Sequence, residues 1–158
     1  TVPQYSDSIL VVHRIVITGN KVTKSPVILR DLMFSEGDTI PASVLSGLLK
    51  RSRENLMNTG IFNFVNLTYV NDPLQGLTIV VDVTERWYVF PIPLFEMVDR
   101  NFNEWIRSGD PGRINYGLDL DWSNFRGLND HLKMQFKWGY THRIGVAYQI
   151  RFNNWKVE

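Results

Sequence analysis

Chemically reactive side chains are few in this chain, and they are scattered. The three histidines are His13, His131 and His142. None has a second histidine or a carboxylate at metal-ligand spacing on a shared helix. Asp119 and Asp121 are two residues apart, so a strand would place both carboxylates on one face. Such a pair could do acid–base work, but pairing with lysines of a neighbouring strand is the simpler use. Cysteine is absent, which excludes a disulfide framework, a thiolate metal site and a cysteine nucleophile. The expectation is therefore no catalytic residue, no metal ligand, no cofactor and no enzymatic activity.

Charge and composition narrow the classes further. The chain has 17 basic against 16 acidic residues and no basic block. Nucleic-acid binding thus has no electrostatic support. No apolar run is long enough for a transmembrane helix, so a membrane role would have to use strands. All five tryptophans lie after residue 86, which suggests two parts adapted to different surroundings. No signal peptide opens at Thr1, so the sequence reads as a mature or trimmed chain.

The elements that must position these residues follow from periodicity. Residues 9–18 are rich in β-branched side chains and stop at Gly19-Asn20, which reads as a strand and a turn. Ser25-Pro26 reads as a helix cap and a first-turn proline. Ile28, Leu29, Leu32 and Met33 follow at helical spacing, and Gly37-Asp38 closes the helix. Pro41 opens a second helix with an apolar stripe of Val44, Leu45, Leu48, Leu49, Leu56 and Met57, ended by Gly60. Ile61 to Val70, then Asn71-Asp72-Pro73, then Leu77 to Glu85 read as a hairpin. Phe62 and Val65 are an odd number apart, so burying both requires a bulge or the strand's start between them. The order is β-α-α-β-β. It predicts an α+β domain with a three-stranded mixed sheet under two helices, in which the first and third strands run parallel.

After Arg86 the pattern changes. Pro91 and Pro93 interrupt the next strand-like segment, which predicts imperfect pairing or an edge position. Three segments then alternate. Tyr116, Leu118, Leu120 and Trp122 oppose Gly117, Asp119 and Asp121. Leu132, Met134, Phe136, Trp138 and Tyr140 oppose Lys133, Gln135, Lys137 and Gly139. Ile144, Val146, Tyr148, Ile150 and Phe152 oppose Gly145, Ala147, Gln149 and Arg151. Each segment is about ten residues long, enough for a tilted strand to cross a bilayer. Soluble sandwiches and barrels alternate too. Here, however, the apolar faces are bulky and aromatic, and aromatics gather at strand ends as interfacial girdles do. The apolar set is therefore expected to face lipid. Asp119 and Asp121 are expected to pair with Lys133 and Lys137 across a polar lumen wall. Four candidate strands cannot close a barrel, so the sequence reads as a fragment or as part of a larger sheet.

A family resemblance rests on several of these stretches. Ile15-Val-Ile-Thr-Gly19-Asn20-Lys-Val-Thr23 resembles the opening of a POTRA domain. Ile28-Leu29-Arg30 with Gly37-Asp38 resembles its first helix and loop. Leu56-Met-Asn-Thr-Gly60-Ile-Phe62-Asn-Phe-Val65 resembles its most recognisable stretch, and Val81-Asp-Val83-Thr-Glu85-Arg86 its closing strand. Asp99 to Trp105, Ile114 to Gly117 and Asn124 to Gly127 resemble the barrel start of BamA/TamA-like surface antigens. The likeness divides the chain into a POTRA domain, residues 1–86, and the first strands of an outer-membrane β-barrel, residues 87–158. A single POTRA domain is present, and the later barrel strands with their Arg-Gly loop are not. Asn124 to Asn129 would be a periplasmic turn, and Thr141 to Arg143 an extracellular one.

What the resemblance implies is assembly or translocation of outer-membrane proteins. The domain of residues 1–86 would sit in the periplasm of a bacterium and bind unfolded clients, or periplasmic and lipoprotein accessory subunits. It would do so by strand addition along Phe62 to Val70, with Phe64, Asn66 and Thr68 presented outward. The strand from Val89 to Val98, with Val89, Phe90, Ile92 and Leu94, would be one side of a lateral seam. Its two prolines fit weak pairing, and equally a hinge out of the POTRA domain. The competing expectation is a soluble periplasmic interaction module whose residues 87–158 form a small β-domain.

Overall fold

The computed structural model describes residues 8–72, 74, 76–98, 103, 106–107 and 113–150. The chain divides into two compact units, Thr1–Arg86 and Trp87–Glu158.

Unit one contains β1 (Ile9–Thr18), α1 (Ser25–Arg30), β2 (Thr39–Pro41), α2 (Ala42–Asn58), β3 (Phe62–Asp72) and β4 (Gly76–Glu85). Its sheet has four strands in the order β2-β1-β4-β3, one more than the three expected. The extra strand is β2, which pairs antiparallel with Ile9–Val11. It is three residues long and ends in Pro41, too short to alternate visibly. The remaining topology agrees with the reading from periodicity: β1 runs parallel to β4, and β3 runs antiparallel to it. A register shift falls between Phe62 and Phe64, and Phe62 and Val65 are both buried. The extra residue thus turns both side chains inward.

The core of this unit lies between the sheet and the helices. Leu77, Ile79, Val81 and Val83 of β4 are buried, as are Val12, Ile28, Leu45, Leu56 and Ile61. The helical stripes are narrower than expected, since Leu29, Met33, Val44 and Met57 are exposed. The N-cap of α1 is Lys24, one residue before Ser25, and it makes no side-chain cap bond.

Glu85 ties the end of β4 to the loop after β1. Its carboxylate accepts the Thr23 amide at 2.6 Å and the Val22 amide at 3.0 and 3.1 Å. Burial pushes this carboxyl up. The Thr23 hydroxyl and the amides of Thr23, Val22 and Lys21 push harder the other way, so its pKa lies below the usual glutamate value. A depressed pKa contributes stability above the unfolded value, lost as pH falls through the folded one. Glu85→Gln is expected to cost about 1–2 kcal/mol at neutral pH, the low end for a charged hydrogen bond partly open to water. The cost should vanish in acid below the folded pKa. Urea titrations of both proteins across that pH range check this, and a pH-independent difference would exclude the carboxylate as the cause.

Unit two is a four-stranded antiparallel sheet in the order β5-β6-β7-β8: β5 (Val89–Met97), β6 (Ile114–Ser123), β7 (His131–Gly139) and β8 (Arg143–Gln149). Every neighbouring pair keeps an unbroken register, the proline-containing β5 included.

Candidate functional site

Two surfaces present themselves, one in each unit. The first is the open edge of β3, an outer strand of its sheet. Antiparallel residues direct their amide and carbonyl alternately to either side. The Val65 carbonyl accepts Arg53 Nε at 3.0 Å, so Val65 faces away from β4. Leu67, Tyr69 and Asn71 share its parity, so their backbone groups line the open edge as well. The backbone groups of Phe64, Asn66 and Thr68 face β4, where these residues pair with Thr84, Asp82 and Val80. Their side chains are exposed, with Phe64 at 72%. The expected trio thus lies on the edge strand and offers side chains, while the free backbone belongs to its odd-numbered neighbours.

The second surface is one face of the second sheet. Register aligns Phe95, Tyr116 and Trp138 in one row, and Val89, Trp122, Leu132 and Tyr148 in another. Between them lie Pro91, Pro93, Leu118, Leu120, Met134, Phe136, Ile144 and Val146. Aliphatic side chains therefore dominate the middle of this face, and aromatic ones its two rims. The face is bare, with Tyr116, Trp138, Ile144 and Val146 all exposed. Among the described residues of this unit, the buried side chains are Tyr88, Asn115, Asn124, Asn129 and Asp130. Four of these five are polar, an inversion of the arrangement in unit one.

The opposite face carries the charges. Lys133 Nζ lies 3.6 Å from Asp121, and His131 Nδ1 lies 4.0 Å from the same carboxylate. Lys137 pairs with Glu96 rather than with Asp119. Its register neighbour on β6 is Gly117, which has no side chain to stop the lysine reaching β5. Asp119 Oδ1 is buried without a hydrogen-bond partner. The face is mixed at its β5 end, where Phe90, Ile92 and Leu94 stand beside Asp121, Asp119 and Gly117.

Pro91 and Pro93 leave the β5–β6 ladder intact for a geometric reason. The Tyr88 carbonyl accepts the Ser123 amide, and the Val98 amide donates to the Arg113 carbonyl. Even-numbered residues of this strand therefore face β6. The two proline nitrogens face the open side, where no ladder bond is lost.

The turn between β6 and β7 is a polar clasp. The Asp130 carboxylate accepts Arg126 Nε at 2.9 Å, the Arg126 amide at 3.1 Å and the Tyr148 hydroxyl at 2.5 Å. The Arg126 guanidinium lies 5.1 Å from the centre of the Tyr148 ring. Burial alone would raise the Asp130 pKa. The Tyr148 and Arg126 bonds outweigh it, and the carboxyl stays below its ordinary value. Asn124 and Asn129 hold positive φ, and the Asn129 amide donates to Asn124 Oδ1.

Residues 10–86 match the POTRA family, described as the surface antigen variable number repeat. The match covers the first of the two units, which is a POTRA domain, and the second unit lies outside it. Among solved structures the chain is similar to BamA from Haemophilus ducreyi lacking POTRA domains 1–3. That match has 17% identity and a TM-score of 0.55, and it covers 82% of this chain. The chain spans 22% of the length of that BamA chain. A second likeness, to CdiB from Acinetobacter baumannii, has 18% identity and a TM-score of 0.47, covering 82% of this chain and 22% of that one. No curated protein matches the chain.

The POTRA unit keeps β3 open, and β5 is the corresponding open strand at the start of the second sheet. Val89 sits on the apolar face, and Phe90, Ile92 and Leu94 on the mixed one. Of the residues expected to face lipid, those from Tyr116 to Tyr148 share one face, except Tyr140 in the turn after β7. Ile150 follows the end of β8. Phe152 lies outside the described residues, as does most of the Asp99–Trp105 stretch. Sequence reading missed Arg53, Arg126 and Asp130. Arg126 and Asp130 are four apart in a turn, a spacing open to inspection. The reach of Arg53 depends on how α2 packs.

Proposed function

We propose that this chain is part of an outer-membrane assembly or translocation factor. In this reading the POTRA unit lies in the periplasm of a bacterium and binds client or accessory chains by adding their strands to β3. Strands β5 to β8 form the opening wall of a membrane β-barrel that receives them. The observation that carries the reading is the bare apolar face of the second sheet, rimmed by aromatics and backed by ion pairs. A sheet in water would need that face covered, and the described residues of this unit supply no cover. Hydrocarbon satisfies it. The reading involves no catalytic step. Main-chain hydrogen bonds supply the affinity, and the lumen charges keep the inner wall wet.

The docking edge can be tested with the whole chain in detergent. A suitable probe is a peptide copy of residues 143–152, an amphipathic strand of the membrane type. Tyr69→Pro removes one outward amide and leaves the β3–β4 ladder whole. It is expected to weaken peptide binding about two- to tenfold, the worth of one net hydrogen bond. Asn66→Pro, by contrast, removes a donor facing β4 and is expected to unfold the hairpin. Unchanged affinity in a folded Tyr69→Pro protein would remove this edge from the mechanism.

A further inference from the structure

We infer that Arg53 shortens the docking edge of the POTRA unit, so that a client strand can pair only with Leu67, Tyr69 and Asn71. The inference rests on the strand-addition reading above and specifies the register in which addition occurs. Arg53 projects from α2, is exposed, and reaches the edge of β3 to donate Nε to the Val65 carbonyl at 3.0 Å. Val65 is the first outward-facing residue after the bulge at Phe62 and Phe64.

A neighbouring strand lies about 4.8 Å from the strand it joins, with its amides pointing at the outward carbonyls. A guanidinium bonded to the Val65 carbonyl occupies that position. It fills the acceptor that an incoming amide would use, and it stands where the incoming backbone would run. The edge is therefore closed at Val65 by the protein's own side chain. Natural sheets commonly protect edges with charged groups. Here the protection covers one end and leaves the rest available.

The other end has its own limit. The Asp72 carboxylate accepts the Leu74 amide at 2.8 Å, which turns the chain out of the strand. Between these two stops, Leu67, Tyr69 and Asn71 face outward, and among the described residues no hydrogen bond engages their outward backbone groups. Three outward residues match a partner segment of about five residues, since strand residues alternate.

The flanking side chains describe that partner. Phe64 and Val70 are exposed on the outer face, and Tyr69 is half exposed on the other. A short segment with apolar side chains on both faces, uncharged along its length, would cover Tyr69 and Val70, which lie within the open stretch. A membrane-type strand segment such as residues 144–148, with Ile144, Val146 and Tyr148 alternating with Gly145 and Ala147, has that chemistry. Arg53 thus acts as a specificity-determining residue: it fixes where the docked strand stops and so which side chains meet Tyr69 and Val70.

Amide hydrogen exchange, read residue by residue on the whole chain in detergent, tests this with the peptide copy of residues 143–152. In the natural sequence, bound peptide should protect the amides of Leu67, Tyr69 and Asn71 and leave that of Val65 unchanged. In Arg53→Ala the protected stretch should extend to Val65, with a several-fold gain in affinity. Arg53→Met keeps the aliphatic stem without a donor and should behave like Arg53→Ala, which guards against a loosened helix. Arg51→Ala removes the same charge from an exposed position of the same helix and should change neither the protected stretch nor the affinity. Protection of Val65 in the natural sequence, or an unaltered footprint in both Arg53 variants, overturns the inference while leaving strand addition standing. Absence of protection anywhere on β3 overturns strand addition and this inference together.

Discussion

Leu118→Arg is expected to reduce the chain's partition into lipid vesicles by tens- to several-hundredfold. The figure follows from the cost of a charge facing the bilayer midplane, about 2–4 kcal/mol, converted at about 1.4 kcal/mol per tenfold. Leu118 sits between Phe136 and Pro93 on the apolar face, two residues from Tyr116 and four from Trp122. The two aromatic rows place it away from both rims. Gln135→Arg introduces the same side chain on the opposite face of the sheet. Gln135 lies opposite Asp119, whose Oδ1 has no partner. An arginine there gains a carboxylate partner on the charged face, and partition should change by no more than about twofold, as for ordinary surface substitutions. Flotation of both proteins with neutral-lipid vesicles reads the difference. Equal partition of the two variants would mean that the faces are not distinguished by hydrocarbon, and the barrel-wall reading would fall. A soluble β-domain predicts a different pattern: Leu118→Arg would be tolerated or would aggregate the chain in water, with no dependence on lipid.

What could be read from the sequence was whatever repeats locally. Alternation over Tyr116 to Trp122 and Leu132 to Trp138 needs only the two-residue period of a strand, and it placed these side chains on one face before any neighbour was known. The bulge near Phe62 was legible because two apolar residues three apart cannot otherwise share a core. Features that depend on a second element were not legible. Strand β2 is three residues ending in proline, and only its pairing with Ile9–Val11 makes it a strand. Leu29, Met33, Val44 and Met57 fit helical stripes, yet the helices cover less of the sheet than those stripes allow. Lys137 reaches Glu96 because Gly117 leaves a gap between them, which requires the register of three strands. The clasp joins Asp130 to Tyr148 across 18 residues, and the Arg53 bond depends on where α2 lies against β3. The candidate edge could therefore be named as a strand from sequence, but which of its backbone groups are free could not.

Gly19→Ala is expected to be the most damaging single-methyl change in the POTRA unit. Gly19 has φ +83°, and a Cβ there would lie 1.9 Å from the Val83 carbonyl oxygen and 3.0 Å from its carbon. The left-handed backbone alone costs a side-chain-bearing residue about 1–2 kcal/mol. The collision adds more, about 1–3 kcal/mol by analogy with overpacked cores. Val83 cannot retreat cheaply, because it belongs to a strand paired on both sides. Relief by moving Gly19 instead would pull the following loop from the Glu85 carboxylate, releasing the Val22 and Thr23 amides. The sum is about 2–5 kcal/mol, a large share of a small domain's total stability. Two other glycines separate the causes. Gly37 has φ +90° with nothing within 4 Å of a Cβ, so Gly37→Ala should show the backbone cost alone. Gly47 lies within α2 with open space around it, so Gly47→Ala should stabilise by about 0.5–1 kcal/mol. At about 4–8 °C per kcal/mol for a domain of this size, thermal melts followed by helical circular dichroism would rank the three. A Gly19→Ala protein that melts with Gly37→Ala would show that the Val83 carbonyl yields. The closeness of the β1 turn to β4 would then not be what holds this loop in place.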